Sequence, residues 1–406
     1  MIRGKVKLML KSVKDKTLTH SGSVFQIIRD SHSFRKGLMM QKKGMTLLAV
    51  CLVLAGLPGC NSFFSSTSAS HVAYVAVPNE GIVAYRIDNS TGLSTLIIGS
   101  PFATGNSPFS IQVHPTKQFL YVANTADNTI SLFKIDGSSG ALTEVMPRTP
   151  TGLDPAYLSM DSSGSFLYAS NNGSNSISVY SIDSSSGVLT EVAGSPVATN
   201  TGPNLLTVSP TGKFLYVLDT NLQLVTVYPI SSGALQSGTS FPVGVAPFAM
   251  AIDPTEHFMY VVNAGTNTIT NGTVSEFTIN SASGALTLVP GTGAPTGTTP
   301  IAILIHPTGK NLYVANSGTD NISQFSIDST TGVLTELTTT TVSAGTTPVF
   351  MVFDAASGYV DVGNQGSKNI TEYSVNQNNG ALDTGTLAAV STLTLTDPPT
   401  SMSFGK

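Results

Sequence analysis

From about Ala73 to its last residue the chain repeats one unit seven times, and the seventh copy is divided between the two ends. Six copies open with a proline and an apolar run: Pro108-Phe-Ser-Ile-Gln-Val, Pro155-Ala-Tyr-Leu-Ser-Met, Pro203-Asn-Leu-Leu-Thr-Val, Pro247-Phe-Ala-Met-Ala-Ile, Pro300-Ile-Ala-Ile-Leu-Ile and Pro348-Val-Phe-Met-Val-Phe. A further run, Pro399-Thr-Ser-Met-Ser-Phe, ends the sequence with nothing after it to complete a unit. The first copy, from Tyr74-Val-Ala-Val, lacks an opening run. Together the two halves make one whole repeat, as closure of a ring requires. Tyr121, Tyr168, Tyr216, Tyr260 and Tyr313 mark successive copies 47, 48, 44 and 53 residues apart, and Asp361 stands in the tyrosine's place in the last full copy. A period of this length signals a propeller or a solenoid.

Within a copy the periodicity is two, which indicates strands. In the second copy Phe109–Val113, Phe119–Ala123, Ile130–Ile135 and Ala141–Val145 read as four strands separated by turn-forming segments. Gly140, Gly187, Gly284 and Gly332 recur just before the last strand, where a hairpin turn often needs positive φ. Gly164, Gly212 and Gly309 occupy the turn between the first two strands. Four antiparallel strands per copy, seven times over, give an all-β, seven-bladed β-propeller. A solenoid is the alternative, but it would want capping repeats, whereas these ends complement each other. Thr400–Phe404 is expected to enter the N-terminal blade as its innermost strand and so remove an exposed edge.

The N-terminus differs from the body. Residues 1–44 hold 11 of the 19 Lys and Arg but 2 of the 23 Asp and Glu, and read as a basic leader and signal n-region. An apolar run and Leu57-Pro58-Gly59-Cys60 follow over residues 45–60. That run is shorter than the ~20 residues a membrane-spanning helix needs, and fits a secretory signal. Cysteine after Leu-x-Gly resembles the lipobox of bacterial lipoproteins, which implies acylation of Cys60, although the family prefers Ala or Ser where Pro58 stands. Asn61 follows it, with no aspartate to imply inner-membrane retention. Residues 1–38 make an unusually long n-region, and Met39, Met40 or Met45 would each begin a conventional one. Residues 61–70 read as a Ser/Thr-rich tether and 71–406 as the propeller. The expected destination is the bacterial cell envelope, on the periplasmic or cell-surface side, with the Cys60 lipid in the membrane.

Past Met45 there are 8 basic and 21 acidic side chains, so the exported part is near −13 and a poor partner for nucleic acid. Both cysteines, Cys51 and Cys60, lie in the signal, so the body is held without a disulfide. A core of about 340 residues is large enough for that, and a monomer is expected.

The blade pattern, with Pro-Thr-Gly-Lys, Phe-Leu-Tyr-Val and Tyr121-Val-Ala-Asn or Tyr313-Val-Ala-Asn, resembles the lactonase family of seven-bladed propellers, 6-phosphogluconolactonase-like enzymes among them, and the overlapping surface YVTN-repeat proteins. The resemblance spans 71–406. It implies cationic and acid/base residues at one rim, just after each opening proline and at the end of each second strand, typically Arg-His and Asn-Glu. Here the positions after proline are Phe109-Ser110, Ala156-Tyr157, Asn204-Leu205, Phe248-Ala249, Ile301-Ala302, Val349-Phe350 and Thr400-Ser401, none of them charged. At the second-strand ends the asparagine survives and the glutamate does not.

A near-ring of Asn124, Asn171, Asn263, Asn316 and Asn364 with Asp219 therefore has two readings. Such residues begin turns by bonding their own backbone, or they form an amide-lined mouth for hydroxyls or peptide groups. Tyr157, Phe109, Phe248 and Phe350 are candidates for apolar or stacking surface beside it. Asp219, the one carboxylate of the ring, is the candidate general base. His114, His257 and His306 fall at the opposite rim and read as turn residues. Arg86 and Arg148 are expected outside the mouth. No metal site and no cofactor are indicated. The fifth copy carries the most individual loop, Thr266–Thr273. The expected function is binding of a glycan, peptide or protein partner at the rim. The alternative is hydrolysis of a small, neutral lactone, because a phosphorylated one would want a cationic clamp. A structural surface-layer role is the third reading.

Overall fold

The computed structural model describes residues 70–88, 94–265, 272–291, 293–354, 358–383 and 391–405. The leader, the Cys60 segment and most of the Thr266–Thr273 insertion lie outside them, as does the tether apart from Ser70. Everything described is strand and turn, in seven sheets that form the blades of a propeller. Six blades begin at their innermost strands, Pro108–Val113, Pro155–Met160, Pro203–Val208, Pro247–Ile252, Pro300–Ile305 and Pro348–Phe353. In the remaining blade Ser401–Phe404 pairs with Ser70–Val77, setting Ala73 opposite Phe404 and Ala76 opposite Ser401. The divided repeat thus closes the ring as the sequence implies.

The outermost strand departs from expectation in three blades. It splits into Leu189–Glu191 with Val197–Ala198, Ala234–Leu235 with Thr239–Pro242, and Leu286–Leu288 with Ala294–Pro295. Gly194 and Pro196, Gly238, and Pro290 with Gly293 occupy the breaks. Proline cannot donate to a ladder and glycine adds no side chain to hold one.

Apolar clusters fill each junction between neighbouring blades. The strict alternation of the second strands explains the arrangement. Leu120 and Val122 face one neighbour while Tyr121 and Ala123 face the other. The tyrosines do more than fill space, because each hydroxyl reaches a glycine carbonyl in the outer hairpin of the following blade. Tyr74 donates to Gly140 at 2.8 Å, Tyr121 to Gly187 at 2.8 Å and Tyr168 to Gly233 at 3.0 Å. Tyr216 bonds Gly284 at 3.2 Å, Tyr260 bonds Gly332 at 2.9 Å and Tyr313 bonds Gly380 at 2.5 Å. These hairpin glycines have φ between 72° and 84°, which a side chain would strain. Burial raises all six phenols well above their ordinary range, so each hydroxyl keeps the proton it donates.

Asp361 replaces the tyrosine at the seam where the last blade meets the first. It is buried, one of its oxygens has no partner, and it lies directly across the sheet from buried Glu372. Desolvation raises its pKa well above the carboxylate range, and the charges of Glu372 and Asp354 push it the same way. An acid with a raised folded pKa contributes stability below its unfolded pKa of ~3.9, and loses it as pH rises through the folded value. The seam is therefore expected to weaken above about pH 4. Asp361→Asn should melt higher than the parent at pH 8, with a shallower fall in stability between pH 5 and pH 8 in urea titrations. Parallel curves for the two proteins would contradict this.

Candidate functional site

The mouth of the propeller is bounded by the opening ends of the seven innermost strands. Six of them carry a register shift immediately after the proline, so that Pro108 opposes Asn124 while Ser110 opposes Ala123, and likewise in the other five. A bulge of this kind re-aims the side chain after the proline. Phe248, in that position, is 42% exposed. Tyr157 is half-buried and meets Phe109 edge-on, with ring centroids 5.5 Å apart, and burial raises its phenol. Phe350 instead folds back over Gly363, whose hydrogen leaves room that a Cβ would fill.

Tyr157 is the one titratable side chain on all seven innermost strands. Three of their serine hydroxyls join blades, while that of Ser401 is buried without a partner among the described residues. Ser403 accepts the N–H of Val113 at 3.2 Å, Ser110 that of Leu158 at 3.1 Å and Ser159 that of Val208 at 3.0 Å. Thr400 donates at 3.2 Å to the carbonyls of Ala76 and Pro108.

The amide ring does not line this mouth. Asn124, Asn171, Asn263, Asn316 and Asn364 are at most 2% exposed. Each donates its amide N–H to a hydroxyl on the third strand of its own blade: Ser131, Ser178, Ser275, Ser323 and Thr371, at 2.9–3.0 Å. A glycine lies flat on each: Gly105, Gly152, Gly244, Gly297 and Gly345. Any Cβ on Gly345 would come within 2.6 Å of the Asn364 carboxamide carbon. These asparagines tie the end of the second strand to the third beneath the entering loop, with the Oδ1 atoms of Asn171, Asn263, Asn316 and Asn364 left without a partner among the described residues. Their burial sets them below the surface of the mouth, where the sequence reading expected them to line it.

Asp219 is the exception in that ring and is also buried, at 4% exposure. Asn200 stands where five other blades have the covering glycine. One Asp219 oxygen accepts the N–H of Leu222 at 2.9 Å, and the other has no partner. Desolvation raises its pKa. A buried carboxylate turned into its own loop is poorly placed as the general base expected from the sequence.

The ionisable groups at the mouth end are on loops and on the outermost strand Leu142–Pro150 instead. Arg148 bonds Glu144 at 2.7 Å and lies 3.6 Å from Asp127, while Lys368 lies 3.8 Å from Asp397. Both cations are thus neutralised locally. Asp154 is exposed, is in no salt bridge among the described residues, and immediately precedes the innermost strand that carries Tyr157. Its φ of 57° is a left-handed conformation, rare before proline. The backbone is held there by the Asp154 N–H donating to the Asn128 carboxamide oxygen at 2.8 Å. Sequence reasoning weighed the residues after each proline and passed over the one before it. Read in that column, Ser107, Asp154, Gly202, Ala246, Thr299, Thr347 and Pro398 include a single charge.

At the opposite rim His114 bridges the Thr116 hydroxyl and the Gly164 carbonyl, and His306 meets Thr308 at 2.7 Å. These are turn contacts, as expected. Arg86 donates to the Ser138 and Ser139 carbonyls of the next blade's hairpin. Among the described residues no cluster of three metal-ligating side chains occurs, and no helix is long and apolar enough to cross a membrane.

The model of the family described as lactonase, 7-bladed β-propeller, matches residues 73–247 and 290–392. The chain belongs to the lactonase family. Most of the fifth blade of this lactonase-family chain, with its long insertion, falls between the matched segments. Among solved structures it is similar to a provisionally named 6-phosphogluconolactonase from Bacteroides fragilis, at 22% identity and a TM-score of 0.70, over 84% of this chain and 99% of that one. It is also similar to the periplasmic gluconolactonase of Pseudomonas aeruginosa, at 20% identity and a TM-score of 0.69, over 83% of this chain and 99% of that one. Likenesses at this identity bear on fold. No curated protein matches the chain.

Proposed function

We propose that this lactonase-family propeller takes a small, uncharged lactone at its mouth and opens it by hydrolysis, with Asp154 as general base. Family membership is the observation that carries the reaction class. The ligand's neutrality is supported by the mouth, where both cations are already paired and the innermost strands carry no charge. A phosphate dianion would meet carboxylates without the free guanidinium that normally binds it.

In this scheme water attacks the lactone carbonyl carbon while Asp154 takes its proton. The ring C–O bond then breaks, and the same carboxyl returns the proton to the departing oxygen, leaving a hydroxy acid. The Tyr157–Phe109 pair, on either side of one blade junction, offers the ring an apolar edge. On a panel of γ- and δ-lactones in a pH-stat, neutral members are expected to turn over above the buffer rate and phosphorylated ones not. Asp154→Asn should lower kcat/KM by about 100-fold or more, in the range of general base catalysis. Asp219→Asn, which restores the residue found in five other blades, should leave it unchanged. Loss of turnover in Asp219→Asn but not in Asp154→Asn would reverse the assignment.

A second reading, binding of a glycan, peptide or protein partner without turnover, is favoured by innermost strands that carry no carboxyl, imidazole or amine. Saturable binding with no turnover across the whole lactone panel would decide for it. Envelope location belongs to the same proposal and is supported by Leu57-Pro58-Gly59-Cys60. Replacing Cys60 by serine is expected to move the protein from the membrane pellet to the soluble fraction and to abolish labelling by a tritiated fatty acid.

A further inference from the structure

Six hairpins in this propeller can be compared with one another, and one junction departs from the rest. Below the tyrosine bond, the residue two before each tyrosine packs on the following blade's hairpin glycine. Phe119, Phe166, Phe214 and Phe258 fill that place on Gly187, Gly233, Gly284 and Gly332, and Val72 fills it on Gly140. Between the sixth and seventh blades the residue is Asn311, buried against Gly380. The facing hairpin changes with it. In four of the others it reads Asp-Gly-Ser-Ser, Asp-Ser-Ser-Ser, Asn-Ser-Ala-Ser or Asp-Ser-Thr-Thr before the glycine, in the shorter Gly233 hairpin it ends Ile230-Ser-Ser, and here it is Asn376-Gln-Asn-Asn.

A cleft of about 440 Å³ lies between the two blades, within the ~300–1,000 Å³ of small-molecule sites. The junction of the second and third blades has one of about 400 Å³ with Phe119 in its wall, so what sets this cleft apart is its amide lining rather than its size. Its polar lining includes Asn311, Gln377, Asn379, Thr308 and Lys310, its floor includes the buried apolar side chains of Ile327 and Val375, and none of its lining residues is acidic. Asn311 is held in place by donating to the Asn379 carbonyl at 3.0 Å. Burying an amide where three blades bury phenylalanine and a fourth half-buries one sacrifices apolar contact, so the exchange needs a compensating role.

We propose that this cleft binds a single sugar ring. Side-chain amides each offer donors and an acceptor, a match for adjacent hydroxyls, and the apolar floor suits the C–H face of a pyranose. Lys310 adds a partner for a ring that bears a carboxylate. The site lies at the rim opposite the mouth and is independent of the lactone chemistry.

Saturation-transfer NMR with D-glucose and with D-glucuronate tests it. At least one of the two is expected to show transfer to its ring protons. Asn311→Phe, which installs the residue of four sister blades, should weaken that binding about tenfold or more. Asp154→Asn should leave it intact, which separates this cleft from the mouth. Lys310→Ala should weaken the glucuronate arm alone. Should Asn311→Phe fail to fold, Gln377→Ala with Asn379→Ala, both on the exposed hairpin, serves the same purpose. No transfer from either sugar, or transfer undiminished in the filled or amide-stripped variant, would overturn the proposal.

Discussion

A chain ending at Pro399 is expected to lose its monomeric fold rather than merely a few degrees of melting temperature. The removed segment supplies the innermost strand of the first blade, with Met402 and Phe404 in the cluster at the seam. Burial of Met402 contributes roughly 1.5–3 kcal/mol, and that of the half-buried Phe404 less. The lost ladder, the Thr400 bonds to Ala76 and Pro108 and the Ser403 bond to Val113 add about 1 kcal/mol apiece. Together they approach the ~5–15 kcal/mol that holds an ordinary domain folded. Truncation also bares Ser70–Val77, whose residues from His71 onward are all buried in the intact protein. An apolar edge strand of that length invites pairing with other chains. Gel filtration should therefore show aggregates or an unfolded species. A truncated monomer with the parent's urea midpoint would mean that six blades and three strands of the seventh close without help.

Removing one tyrosine from the middle of the ring should cost nearly as much. Tyr260→Ala deletes a fully buried ring between the fifth and sixth blades and leaves the Gly332 carbonyl without its donor. Aromatic deletions in cores cost about 3–5 kcal/mol. Tyr260→Phe keeps the ring and loses the hydrogen bond, for about 1–2 kcal/mol. The difference between the two, read from urea titrations, apportions packing against the hydroxyl. Equal effects would show that the ring itself contributes little.

Much of this architecture is legible in the sequence because the physical demands recur. A proline opens six innermost strands, a tyrosine closes six junctions, and a hairpin glycine with positive φ meets each tyrosine. The breaks in three outer strands were not legible, since glycine and proline there replace no repeated residue. The mouth was misread for a different reason. Asn124 is in phase with Leu120 and Val122, both core residues, so strict alternation already implied a buried amide. Position at a strand's end suggested a rim and outweighed that phase. Asp154 was visible only by aligning the residue before each proline, a column whose left-handed backbone no propensity announces. The sugar cleft needed coordinates, because it arises where Asn311 meets a hairpin 65 or more residues away.

The tyrosine bonds all point the same way around the ring, each to a glycine 65–72 residues further along the chain. During vectorial synthesis a blade therefore acquires its anchor only when the hairpin of the next one has left the ribosome. At each moment one blade awaits its successor, and that blade is always the most recently made. The final blade has no successor and carries Asp361 in place of the tyrosine. What it waits for is the strand Ser401–Phe404, which must reach Ser70–Val77 before the circle holds.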